Sequence, residues 1–212
     1  MSSSSGCASD VTGRAGYEAA CRQDLRVAFR SDELDAWLPQ PEIRSRHRRE
    51  SAAAPDALWS AACAVRLDQT RSIGRLVRWR IPGVPPGQSF AGLLSHDPFT
   101  VLQEGEGWSI SGLCGRIWTL ARDYPQLEGA EAFRDFNEPR SVRVLFAHWV
   151  QPTGGGRSTL FSEARVQPTD RIASVRLRAL WLVVGPFERL IGAEPLALAV
   201  ARAEREQSGD AP

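Results

Sequence analysis

His148 is the residue best placed to move a proton. It lies in residues 141–150 (SVRVLFAHWV), where alternation carries it to the same face as Val144, Phe146 and Val150. An imidazole titrates near neutral pH, so a desolvated, neutral His148 could serve as base or acid. The commoner case is a core histidine satisfied by a backbone carbonyl or by a neighbour such as Ser162. Ser162 belongs to the next alternating segment, 158–166 (STLFSEARV). If Val150 pairs with Ser158, Ser162 lies diagonally across from His148, in reach to orient the ring or hold a substrate carbonyl. His148 and Ser162 are thus the candidate catalytic residues.

The other polar constellations have a structural reading beside each chemical one. His96-Asp97 could be a dyad at a cavity mouth, but neighbours in sequence rarely face each other, and a turn accounts for both. His47 sits among Arg46, Arg48 and Arg49, whose charge disfavours its protonation; it reads as a strand residue. Glu163 and Arg165 fall on the opposite face to His148 and are expected to form a solvent-side ion pair with Arg143, of small energetic weight. Arg71, Arg75 and Arg78 recur at i, i+4 and i+7 and could hold an anionic carrier or phosphate-bearing ligand, or form a solvated helix face. Of the seven Trp, Trp59, Trp108, Trp118 and Trp149 are candidates to wall a cavity or fill a core.

No phosphate-binding Gly-rich loop, dinucleotide fingerprint, nucleophile elbow or zinc-ligand spacing is present, so phosphoryl transfer, Rossmann redox chemistry, serine hydrolysis and zinc catalysis lose support. The four Cys are scattered without a CxxC pair, so no metal or cofactor is expected and a reducing, cytoplasmic compartment is the default. All 26 basic residues are Arg, yet the net charge is only +1, so no global field draws the chain to nucleic acid. The first ten residues, MSSSSGCASD, hold no apolar run of the kind a secretory signal needs.

These residues need elements to position them. Residues 1–14 and 208–212 are expected to be disordered. A helical rhythm through Leu25, Phe29, Leu34, Trp37 and Leu38 predicts an N-terminal helical extension over 15–40, closed by Pro39 and Pro41. Residues 43–52 read as a strand with one wet face, 56–65 and 70–79 as helices, 82–87 as a rigid loop. Strands over 99–103 and 108–118 meet at a Glu-Gly turn, an insertion over 122–139 holds a short helix at 131–136, and Thr153–Gly156 turns the last hairpin. The face carrying Val142, Val144, Phe146, His148, Leu160, Ser162, Ala164 and Val166 is the more apolar. It should lie under a long helical run over 169–207, capped by Asp170, its first half apolar most of the way round, and bent or restarted at Pro186 and Pro195. That helix is too interrupted to span a membrane.

The order strand, two short helices, antiparallel strands, long C-terminal helix resembles the α+β helix-grip fold of the START-like (SRPBCC) superfamily, which includes polyketide cyclases and Bet v 1-type proteins. Particular segments look like actinobacterial members: Trp37-Leu-Pro, Arg46-His47, Ala54-Pro55, Leu58-Trp59, Arg80-Ile-Pro-Gly83, Phe136-Asn-Glu-Pro139, Ser162-Glu-Ala-Arg-Val166 and Trp181-Leu-Val-Val-Gly-Pro186. The resemblance spans residues 35–206 and implies a deep apolar cavity between sheet and helix in a domain over 41–207. The expected ligand-binding residues are Trp59, Trp108, Trp118, Phe146, Leu160 and Val183. The expected partner is a hydrophobic small molecule, either a polyketide-like substrate that is cyclised or dehydrated, or a cargo carried without turnover.

Overall fold

The computed structural model describes residues 29–81, 83–119 and 123–209. In chain order these form β1 (Ile43–Ser51), α1 (Pro55–Cys63), α2 (Ile73–Arg80), α3 (Phe90–Leu94), β2 (Thr100–Gly105), β3 (Trp108–Gly115), α4 (Ala130–Asp135), β4 (Val142–Gly154), β5 (Arg157–Pro168) and α5 (Arg171–Gln207). The strands make one antiparallel sheet in the order β1-β5-β4-β3-β2. The 37-residue α5 lies against β1, β5 and α1, which is the expected helix-grip architecture. Helix α3, with Ser89 Oγ accepting from the Gly92 amide at 3.0 Å, was not read from the sequence.

The β4–β5 hairpin sets the register of the site. Its turn uses Gly154, Gly155 and Gly156 at φ of 86°, 62° and 75°, a region that side chains with a Cβ resist. Both strands run further into the turn than expected: Gly154 pairs with Arg157, after an irregularity at Pro152–Gly154. Val150 therefore opposes Leu160, and Ser158 opposes Pro152. The expected pairing was off by two residues, an even offset that keeps every side chain on its face. It changes the neighbours, however: Ser162 is directly opposite His148, not diagonal to it.

One face of the sheet carries Val144, Phe146, His148, Val150, Leu160, Ser162 and Val166 beneath α5. Here the core forms two clusters: Leu58, Ala61, Val150, Leu160, Leu196 and Val200 in one, and Leu93, Phe99, Leu113, Val144, Val166 and Leu177 in the other. The opposite face was expected to meet solvent, and it does not. Phe29, Leu34, Trp37 and Leu38, with Phe133 of α4, cover Leu145, Ala147, Trp149 and Phe161 in a third cluster. Residues 29–38 are thus part of the core, with a 3-10 helix over Ser31–Ala36. The predicted tail 1–14 and the remainder of the helical extension lie outside the described residues. At the other end Ser208 caps α5, its amide donating to the Glu204 carbonyl at 3.1 Å.

Asp170 caps α5, its two carboxylate oxygens taking the amides of Ala173 and Arg140 at 2.7 Å each. The helix passes Pro186 and Pro195 without restarting. Burial of Leu196, Ala199, Val200 and Ala203 holds the segment after the second proline in place although the prolines donate no hydrogen bond. The helix does not bury its apolar surface all round. Ala173 and Leu177 are fully buried, but Ile172, Val175, Leu182 and Val183 are exposed.

Candidate functional site

Four polar side chains cross the face beneath α5 in one row. His148 pairs in register with Ser162 on one side and Ser109 on the other, and Ser162 pairs with His47 of β1. Residues opposite one another in an antiparallel ladder share a face, about 5 Å from neighbour to neighbour. The rows above are largely apolar: Val144 with Val166 and Leu113, then Phe146 with Ala164 and Ser111.

His148 is held by strand geometry alone. Among the described residues neither ring nitrogen finds a hydrogen-bond partner, Ser162 included. The ring is only half-buried by surface, yet burial pushes its pKa down to about 4. Burial disfavours the charged imidazolium, and no opposite charge offsets it. The ring is neutral at pH 7, with a lone pair and an N–H to offer. The indole Nε1 of Trp118 is a second buried donor without a partner. It lies in the same apolar cluster as Phe146 and Trp181.

His47 was read as a plain strand residue. Its ring packs under α5 where Gly192 leaves room, since a Cβ at 192 would coincide with the imidazole. Its Nε2 lies 3.2 Å from Ser45 Oγ. The signal was available in the alternation of β1, but pairing β1 with β5 in register requires the structure.

A cleft of about 800 Å³ opens at one end of this face, lined by Ile81, Val84, Leu93, Pro98 and Tyr124, with Gln88, His96, Asp97 and Gln126 as its polar groups. Ile81, Val84 and Tyr124 pack on the cluster that contains Phe146. The expected insertion thus contributes to the mouth through Tyr124 and Gln126. His96 and Asp97 do not form a dyad. His96 Nδ1 donates to the Gly92 carbonyl at 2.7 Å, while Asp97 Oδ2 takes the Gln126 amide at 2.5 Å.

The expected ligand-binding residues separate. Phe146, edge-on to Phe99 at 5.8 Å, and Trp118 border the cleft cluster. Leu160 and Trp59 belong to the solid packing between α1 and the second half of α5. Trp108 is on the far face, stacked on Phe29 at 4.9 Å, and Trp149 lies there too, fully buried against Phe161. Val183 points to solvent at 67% exposure. Alternation puts Trp108 opposite Trp149, away from the helix, and the exposed stripe of α5 carries Val183 outward.

Glu163 and Arg165 are not a solvent-side pair with Arg143. Both are fully buried on the far face, Arg165 Nε donating to Glu163 Oε1 at 2.7 Å. Ser31 and Arg44 complete the carboxylate at 2.7 and 2.8 Å, and Arg165 also meets Asp35 and, at 2.9 Å, the Ser31 carbonyl. Burial alone would raise the Glu163 carboxyl, but hydrogen bonds from Ser31 and Arg165 and the Arg165 charge outweigh it and hold it below its ordinary value. Among the described residues no cluster of side chains could hold a metal ion.

No protein-family model matches the sequence, and no curated protein matches it. Among solved structures it is similar to the Zhui aromatase/cyclase of a Streptomyces species, at 13% identity over 78% of this chain and 95% of that one, with a TM-score of 0.33. It is similar also to truncated norcoclaurine synthase from Thalictrum flavum, at 14% identity over 78% and 92% of the two chains, TM-score 0.36. A hypothetical protein from Helicobacter pylori matches at 7% identity over 83% and 96%, TM-score 0.38. The architecture is that of a helix grip. That statement stands on the strand order and the position of α5; likenesses this distant carry no chemistry across.

Proposed function

We propose that the protein takes a hydrophobic small molecule beneath α5 and that His148 moves protons on it, as in cyclisation or dehydration of a polyketide-like intermediate. The observation that carries this reading is a neutral, unpartnered imidazole in the middle of an apolar face, with serine hydroxyls opposite it on both neighbouring strands. In such a transfer His148 takes a proton from an acidic C–H or returns one to a departing hydroxyl, and Ser162 or Ser109 holds the neighbouring carbonyl oxygen. The apolar walls hold a folded conformer of the substrate. The second reading, a carrier without turnover, is favoured by how few polar groups the Phe146 cluster contains.

One substitution separates the two. Replacing His148 with Phe should leave micromolar binding of an apolar fluorophore within about twofold, because the walls are untouched. Turnover of a poly-β-ketone produced in situ, followed by mass spectrometry of the products, should fall by roughly 10²–10⁴. If wild-type protein does not change the product profile but still binds the fluorophore, the enzyme reading is lost and the carrier reading stands.

A further inference from the structure

Every large hydrophobic residue that stands exposed among the described residues belongs to α2 or to the first half of α5. They are Leu76 and Trp79 in the former, and Ile172, Val175, Leu182 and Val183 in the latter. The start of α2 is tied to the second half of α5, and its end packs on the cluster that also holds Trp181. The backbone amides of Arg71 and Ser72, at the start of α2, donate to Glu194 of α5 at 2.5 and 3.1 Å. Val77 and Ile81, at its far end, join the same cluster as Trp181. Both segments are also basic and free of acids. No Asp or Glu occurs between Asp68 and Asp97, or between Asp170 and Glu188, while Arg71, Arg75, Arg78, Arg171, Arg176 and Arg178 are all exposed there. In a chain of net charge +1 this gathers positive charge along both exposed apolar segments. Of these arginines, Arg178 is engaged by Glu42 and Arg176 lies over Trp118 at 5.9 Å.

We propose that these two segments together dock on an anionic lipid surface, with Trp79, Leu182 and Val183 inserting at the headgroup boundary and the arginines meeting lipid phosphates. Exposed apolar side chains interspersed with guanidinium groups, with an exposed Trp, are the chemistry that interface selects. A second copy of the chain fits these segments poorly, because self-pairing of α5 would set arginine against arginine with no acid between residues 170 and 188 to answer them. Ile81, Val84 and Pro85 follow α2 directly and line the cleft, so docking by α2 brings the mouth to the bilayer, where hydrophobic ligands partition. The proposal does not depend on His148 or on any turnover.

The test is co-sedimentation of the full chain with phosphatidylcholine vesicles, with and without 30 mol% phosphatidylglycerol. Partition onto the anionic vesicles should exceed that onto the neutral ones by about tenfold or more and fall as salt is raised. Arg75→Glu with Arg78→Glu should lower it by about tenfold or more, and so should Leu182→Asp or Trp79→Ala. All four residues are exposed, and a melting curve checks each variant; if Leu182→Asp melts early, Trp79→Ala carries the apolar arm alone. Equal partition onto both vesicle types, or indifference to these substitutions, overturns the proposal. So does light scattering that shows a dimer dissolved by Leu182→Asp, or retention on immobilised polyglutamate without vesicle binding.

Discussion

His148 illustrates how much a single position can be asked to do without a supporting side chain. Its orientation comes from the strand, its neutrality from burial, and its polar neighbours from the two adjacent strands. The consequence for stability has a definite sign. Its folded pKa of about 4 lies below the ordinary 6.5, so between the two the unfolded chain binds more protons. Stability from this site is full above about pH 6.5 and is lost as pH falls toward 4, by an amount on the order of 3 kcal/mol. Denaturant melts between pH 7 and 4.5 should steepen in this range for the wild type and flatten for His148→Phe. A ring proton that titrates near 6.5 by NMR would contradict the placement.

At the scale of elements, legibility followed the amount of local information each element carries. The β4–β5 hairpin was read correctly by face, because an offset of two in pairing does not move a side chain across the sheet. Its register was not readable, since three consecutive glycines leave the turn length open. The burial of Trp149, Glu163 and Arg165 on the far face escaped for a different reason. The cover over them comes from residues 29–38 and α4, and nothing in β4 or β5 records it. Conversely, the exposed stripe of α5 read as buried because apolar composition alone does not say which side meets the sheet. His47 under Gly192 is a contact between an edge strand and a helix 145 residues away in sequence, invisible to any periodicity. Gly192→Ala should therefore cost about 1–3 kcal/mol, against the usual gain of Ala over Gly in a helix, because the imidazole must leave its slot. Adding His47→Ala should recover most of that loss in urea titrations; simple additivity of the two would show that ring and helix are not coupled.

At the scale of the whole molecule, the sheet is a two-sided core with a different closure on each face: α5 on one, the segment 29–38 with α4 on the other. The second closure is clamped by charge. Glu163→Ala leaves Arg165 buried with only Asp35 and backbone to answer it, and should cost about 3–5 kcal/mol in thermal or urea melts. A loss under 1 kcal/mol would mean that the network is open to water. The wide separation of β1 from its partner also has a kinetic meaning. Ile43 pairs with Val166, so the chain must close a loop of more than a hundred residues before β1 can join β5. The β4–β5 hairpin needs only its own turn, and its contacts can form early. Pulse-labelled hydrogen exchange during refolding should find amides of β4 and β5 protected before those of β1. Until β1 arrives, the outer edge of β5 is an open template, and the refolding yield should fall as protein concentration rises.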